Sequence, residues 1–317
     1  MSEEFHWSGR FDGDEAIHRR FFQVIAEETS VDQIPTFGLI GFCCDEGVRR
    51  NKGRLGARNA PNLIRSQMAS LPIHTPVAIQ DMGNVVCENE ELEAAQQNLS
   101  KKITALLDQG TTPIVLGGGH ETAFGSFQGI FQHVQNQHKG ESIGIINFDA
   151  HFDLRDAEVP TSGTPFLNSA NLLKDHNQAF HYLCLGIAKH ANTKVLFQTA
   201  DTLNVAYIED KALLYGSMTD AFAQITAFID QVDHIYITID LDVFSAHIAP
   251  GVSAPAVRGI SITTFEQLFN PIIQSQKVRL LDIVECNPEF DIDNHTSKLA
   301  AYIAYQFIQQ IITKDSI

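Results

Sequence analysis

Histidines and acids in this sequence gather in three short groups, each directly after an apolar run. Gly117-Gly118-Gly119-His120-Glu121 follows TPIVL, Asp149-Ala150-His151-Phe152-Asp153 follows SIGIINF, and Asp240-Leu241-Asp242 follows HIYITI. Glycines let a chain leave a strand tightly and approach a ligand closely, and His120 offers an imidazole nitrogen suited to a borderline metal. A phosphate cradle is the other use of such a turn. Neither the GxGxxG dinucleotide spacing nor the lysine of a P-loop is present.

Asp149, His151 and Asp153 alternate, so they are expected to share one face of an extended segment and present oxygen, nitrogen and oxygen together. Burying such groups after an apolar strand is costly unless something neutralises them, and a cation does so. Phe152 is expected to turn away into the core. Asp240 and Asp242 are likewise expected to face one way from a strand end, where like charges repel unless protonated or bridged by cations. Leu241 between them is expected to point inward.

Together His120, Asp149, His151, Asp153, Asp240 and Asp242 offer six ligands, four carboxylates and two imidazoles. Structural zinc sites take fewer ligands and usually cysteine, whereas this mixed set suits Mn²⁺, with Fe²⁺ and Co²⁺ as alternatives. Four carboxylates balance two divalent ions, and a water between ions roughly 3.5 to 4 Å apart is deprotonated near neutral pH, which is a hydrolytic arrangement. Asp282 and Glu285 in RLLDIVECNP lie outside that set. One of them is expected to face substrate, because a carboxylate accepts paired N–H bonds from a planar cation. Glu285 is the preferred candidate; a capping acid near Pro288 is its alternative role.

Such groups need a frame that brings distant segments together. Short apolar, β-branched runs recur at 36–42, 112–118, 142–150, 181–188, 234–244 and 277–288. Several lack polar alternation, as strands covered on both faces do. Amphipathic segments such as ELEAAQQNLSKKITALLDQG, SFQGIFQHVQNQ, SMTDAFAQITAFIDQ and TTFEQLFNPIIQ lie between them, and HTSKLAAYIAYQFIQQII closes the chain as a helix. Strand then helix, repeated, predicts a parallel α/β sheet in a single domain over 1–317, with 1–30 as an N-terminal extension or helix. Open parallel sheets place chemistry beyond the carboxyl ends of their strands, where the three polar groups fall.

Composition narrows the partners. The 22 Lys+Arg against 38 Asp+Glu give a net charge of −16, so a nucleic-acid backbone would be repelled. No apolar run is long enough to cross a bilayer, and the polar, acidic start MSEEFHWSGRFDGDE is unlike a signal peptide. The expectation is a cytoplasmic protein without membrane or nucleic-acid partners. The five cysteines suggest neither a disulfide framework nor a zinc knuckle, and Cys184 and Cys286 read as small buried hydrophobes.

GGGHE at 117–121, DAHFD at 149–153, DLDVFSAHIAPG at 240–251 and DIVECNP at 282–288 resemble, in order, the four signature regions of the ureohydrolases, the arginase and agmatinase family. The likeness runs from GFCCDEGVRRNKGRLGARNAP to TSKLAAY. It implies a three-layer α/β/α sandwich with a central, mostly parallel sheet. It also implies a bridged pair of Mn²⁺ ions per subunit and cleavage of guanidinium or amidine C–N bonds by a bridging hydroxide. His120, Asp149, Asp153 and Asp242 would divide among the metals, with His151 and Asp240 completing the shells. Glu285 would grip the amidinium end, and Asp153 would carry the proton from nucleophile to departing amine. A homo-oligomer is expected by the same likeness.

Within the family, DAHFDLR at 149–155, SGTPF at 162–166 and GVRRNKGRLGARNAP at 47–61 resemble the branch that splits N-formimidoyl-L-glutamate into L-glutamate and formamide in histidine degradation. That small acidic amidine carries carboxylates, and Arg155, two residues past Asp153, is placed to meet one. Arg49, Arg50, Arg54 and Arg58 add positive charge if their loop covers the pocket. The stretch Ser162-Gly163-Thr164-Pro165 stands where arginases carry a histidine in an HGxP-like loop, which argues against direct arginine hydrolysis. Agmatinase or guanidinobutyrase chemistry is the nearest alternative, and a single-zinc deacylase a more remote one. His176, His181, His190 and His247 are the remaining candidate proton relays.

Overall fold

A computed structural model describes residues 5–25 and 36–314. Its frame is one eight-stranded sheet. The strands are β1 (Thr36–Cys43), β2 (Ala78–Val86), β3 (Thr112–Leu116), β4 (Ile143–Phe148), β5 (His181–Ile187), β6 (Ala206–Glu209), β7 (His234–Asp240) and β8 (Val278–Val284). They lie in the order β2-β1-β3-β8-β7-β4-β5-β6, and every neighbouring pair is parallel. Parallel neighbours need long crossovers, and the amphipathic segments between the apolar runs supply them as helices.

Side chains alternate across the sheet and build two cores. On one face Phe37, Leu39, Ile146, Phe148, Ile237 and Ile283 meet helices Ala60–Ala69, Met218–Ile229, Ile262–Gln274 and His295–Lys314. On the other, Ile40, Phe42, Val115, Ile145, Tyr182 and Leu280 meet helices Leu92–Asp108, Thr122–Gln137, Pro165–Asp175 and Lys194–Thr202. The result is three layers, α/β/α. Strands β4 and β7 are buried throughout, which explains why their sequences are mainly apolar and lack regular polar alternation. Each fully buried Phe, Ile or Leu contributes roughly 1.5–3 kcal/mol, so these two strands anchor the sheet firmly where the site must be rigid.

The described part of the N-terminal stretch packs on this body. Trp7 donates its indole N–H to Asp81 on β2 at 2.8 Å, and a short helix spans Phe21–Ile25. Residues 1–4 and 26–30 of the expected extension lie outside the described residues.

Strands β3, β8, β7 and β4 are contiguous at the middle of the sheet. Their carboxyl ends run directly into His120, Glu285, Asp240 and Asp149. Strand order alone therefore gathers four segments separated by up to 165 residues.

Candidate metal centre and active site

Each strand end leaves the sheet differently. After β3, Gly118 donates its N–H to Phe42 O and Gly119 to Cys44 O, both at 3.0 Å, so the turn lies against the end of β1. A Cβ on Gly118 would sit 1.9 Å from the Cys44 carbonyl, which is why glycine is required there. His120 then points back over the sheet end. Its Nε2 lies 3.1 Å from Thr238 Oγ1 on β7, and its amide donates to Glu285 Oε1 at 2.9 Å.

Asp149, His151 and Asp153 do not share the face of an extended segment, contrary to the alternation argument. Strand β4 ends at Phe148, and Asp153 has a left-handed φ of 47°. Asn192 ties this loop down, accepting from Phe152 N and donating to Ala150 O. Phe152 is fully buried against Phe197 and Tyr207, as expected. Asp240 and Asp242 also diverge. Asp242 sits in a 3₁₀ turn whose amide donates to Asp240 Oδ1 at 2.8 Å, and the two carboxylates join different clusters while Leu241 is buried between them.

The first cluster comprises His120, Asp149, Asp153 and Asp240, with His120 Nδ1 at 3.1, 3.0 and 3.2 Å from Asp149, Asp153 and Asp240 oxygens respectively. None of the three approaches has hydrogen-bond geometry, and Nδ1 is left buried without a partner. Three carboxylates crowding one imidazole nitrogen without bonding to it point at a common centre. Separations near 3.1 Å are those of adjacent ligands around a six-coordinate ion with bonds of about 2.2 Å. In the second cluster His151 Nδ1 lies 3.0 Å from Asp242 Oδ2 and 3.4 Å from Asp149 Oδ1. Asp149 belongs to both, one oxygen to each. All six expected ligands are therefore brought together as two adjoining groups.

Electrostatics agree with a cation-binding role. Burial, then the charges of Asp242 and Asp149, raises the Asp240 carboxyl well above its ordinary range. Burial and Asp149 raise Asp153, and burial raises Asp242. Burial would raise Asp149 as well, but the close imidazoles of His120 and His151 outweigh the desolvation and hold it low. Both histidines are raised against the pull of burial by these carboxylates. So many buried acids with two imidazoles lack the positive charge that divalent ions provide.

Glu285 follows β8 with a left-handed φ of 65°, held by donation of its amide to Gly118 O at 2.8 Å. Burial, with Glu121 nearby, pushes its carboxyl up to about 8. Its Oε2 has no protein partner. Asp282 is not the substrate-facing acid: it is buried beneath the site against the Tyr236 hydroxyl and does not line the cavity.

A cavity of about 220 Å³ opens over both clusters, bounded by His120, His151, Asp153, Asp240, Asp242 and Glu285. Arg155 lines it too, and a Cβ on Gly163 would lie 2.8 Å from the Arg155 Cδ, so Gly163 leaves that side chain its room. The other basic residues are employed elsewhere. Arg49 and Arg50 pair with Glu46, Arg54 donates to Ser253 O and stacks on Phe290 at 4.1 Å, and Arg58 lines a separate cavity beside Cys44. His176, His181, His190 and His247 do not line the site cavity. Asn51, Ser162, Asn192 and Ser253 do; Asn51 and Ser162 fall in the segments at 47–61 and 162–166 that carry the family likeness, whereas Asn192 and Ser253 carry no such mark.

The arginase-family model matches residues 35–309. The chain belongs to the arginase family. Among family members, a formimidoylglutamase from Vibrio cholerae is 46% identical, covering 96% of this chain and 94% of that protein. One from Aeromonas salmonicida is 45% identical, with 95% and 96% covered. Among solved structures, a formimidoylglutamase from Bacillus subtilis superimposes with a TM-score of 0.77 at 25% identity over 89% of each chain. A Trypanosoma cruzi formiminoglutamase solved with Mn²⁺ has a TM-score of 0.81 at 22% identity, covering 93% of this chain and 99% of that one, a likeness of fold. The arginase-like α/β/α sandwich expected from the signature segments is the fold observed, and the chain is a hydrolase of this metal-dependent family. Among the described residues no helix is long and apolar enough to cross a membrane.

Proposed function

We propose that the protein hydrolyses N-formimidoyl-L-glutamate to L-glutamate and formamide, a step of histidine degradation, with two Mn²⁺ ions per chain. His120, Asp149, Asp153 and Asp240 would hold one ion, and Asp149, His151 and Asp242 the other. The observation that carries the metal part is the convergence of three carboxylates on the unpartnered His120 Nδ1, beside a second cluster that shares Asp149. Identity of 46% over nearly the whole length to proteins of that name supports the substrate.

Bound there, the ions would supply an activated water and a positive field for charge that develops on the reacting amidine. The chain's own residues do the rest. Glu285, fixed by the His120 amide, offers its free Oε2 to the amidinium N–H groups and sets the carbon over the clusters. Asp153, which lines the cavity, is the proton carrier: it takes the proton that the attacking water gives up and passes it to the glutamate nitrogen as the C–N bond breaks. Arg155 meets a substrate carboxylate with paired N–H bonds. With its ring proton on Nε2, directed to Thr238 Oγ1, His120 would keep the Nδ1 lone pair free for a cation.

The continuous sheet supports a single domain, and the five free cysteines fit a cytoplasmic setting. A homo-oligomer completes the proposal, read by light scattering on the purified protein. Product formation by Mn²⁺-loaded protein, measured side by side on N-formimidoyl-L-glutamate, agmatine, 4-guanidinobutyrate and L-arginine, tests the reading. Glutamate and formamide from the first alone supports it. Urea from a guanidino compound, with the first left intact, overturns the substrate and the role given to Arg155.

A further inference from the structure

A second, unrelated group of possible metal ligands lies at the opposite end of the sheet. His138 follows the helix Thr122–Gln137, Glu141 sits in the turn before β4, and His234 is the first residue of β7. Their ligand atoms all lie within 4.8 Å of one another. Glu141 Oε2 is 2.6 Å from His234 Nε2 and 3.4 Å from His138 Nδ1, and the two rings are 5.0 Å apart. Neighbouring contacts hold the frame: Asp233 Oδ2 accepts from both the amide and the hydroxyl of Ser142 at 2.8 Å, pinning the turn to the start of β7.

We propose that His138, Glu141 and His234 form a site for a borderline divalent ion of the Zn²⁺ class, separate from the catalytic clusters. Two imidazoles and one carboxylate are a zinc set and a poor match for Mn²⁺, which favours oxygen. Tetrahedral bonds of about 2.0–2.1 Å place ligand atoms about 3.3 Å apart. The His138–Glu141 separation already matches that, and Glu141 needs to withdraw from His234 by less than ~1 Å. Three protein ligands leave a fourth position for water. His234 is almost fully buried, and burial together with Arg279 holds its pKa below the ordinary imidazole range, so it is neutral as a ligand must be. His138 and Glu141 are 40% and 46% exposed, which gives an ion access.

One contact opposes the ion. Arg279 Nε donates to His234 Nδ1 at 3.3 Å, which puts the imidazole proton on Nε2, where it bonds to Glu141. Binding moves that proton to Nδ1 and turns the exposed Arg279 side chain into water. The site would clip the end of one helix to the foot of β7 without touching the cavity 220 Å³ in volume where the chemistry is placed.

The test uses full-length protein loaded with Mn²⁺, incubated with Zn²⁺, freed of unbound metal and analysed for total metal by mass spectrometry. Zn²⁺ affinity and thermal stability are measured in parallel. His138→Ala and Glu141→Gln, both at exposed positions, should lower total metal by one ion per chain and weaken Zn²⁺ binding about tenfold or more. Both should also lose the Zn²⁺-dependent rise in Tm while keeping activity. Arg279→Ala should tighten binding. Counting the difference between wild type and variant separates this site from the catalytic one, since failure of the Mn²⁺ assignment would change both proteins equally. Equal metal content and equal Zn²⁺ isotherms for wild type and His138→Ala would overturn the proposal, as would weaker binding in Arg279→Ala.

Discussion

Replacing Glu285 by Gln removes one charge and leaves the shape and backbone contact in place. The glutamine carbonyl can still accept from the His120 amide, now bonded to Oε1 at 2.9 Å, so the turn carrying His120 should hold. What changes is the atom now at Oε2, which is buried and has no protein partner. A carboxylate there accepts charge-assisted N–H bonds worth about 1.5–3 kcal/mol, whereas an amide NH₂ faces the substrate donor to donor and leaves buried groups unpaired at about 1–3 kcal/mol. A combined loss of about 3–4 kcal/mol corresponds to a fall in kcat/KM of about 10²- to 10³-fold. The assay is steady-state glutamate release from N-formimidoyl-L-glutamate, with metal content and Tm measured on the same sample. A fall below about fivefold with metal retained would refute the placement of Glu285 against the amidinium, because even one charge-assisted bond is worth more.

Arg155→Ala should raise KM about 10- to 100-fold with little change in kcat, since it removes a contact to a remote substrate carboxylate; unchanged KM would place the carboxylate elsewhere. Thr238→Val should weaken Mn²⁺ binding about 10- to 100-fold, measured by chelator competition, because His120 loses its outer partner at 3.1 Å. Phe152→Ala should cost about 3–5 kcal/mol in denaturant unfolding, as the fully buried ring supports the loop bearing His151 and Asp153. The metal-free protein should lose stability as pH rises: Glu121 and Glu285, raised from 4.5 to about 7 and about 8, bind protons more tightly folded than unfolded, so their contribution declines across that interval. Melting at several pH values checks the sign, and a flat or rising profile in metal-free protein would contradict it.

The strands that carry the chemistry were legible because they are buried on both faces nearly throughout and are therefore written as mainly apolar runs without regular polar alternation. Two strands escaped that reading, β2 (AIQDMGNVV) and β6 (AYIE). Both are sheet edges, one polar and half-exposed, the other only four residues long, so neither has the burial that writes an apolar signature. The three ligand groups were legible from residue type and position after a strand. Their local geometry was not, because alternation predicts facing only while the chain stays extended, and Asp153 and Asp242 leave the strand conformation. Asn192 gave no signal at all: its role is to bond backbone carbonyls and an amide, which no spacing rule marks.

Anomalous diffraction at the manganese edge from crystals of the Mn²⁺-loaded protein tests the central claim most directly. The account predicts two peaks, one among His120, Asp149, Asp153 and Asp240 and one among Asp149, His151 and Asp242, with Asp149 between them. A single peak, or manganese held by other residues while these carboxylates stand apart, would contradict it.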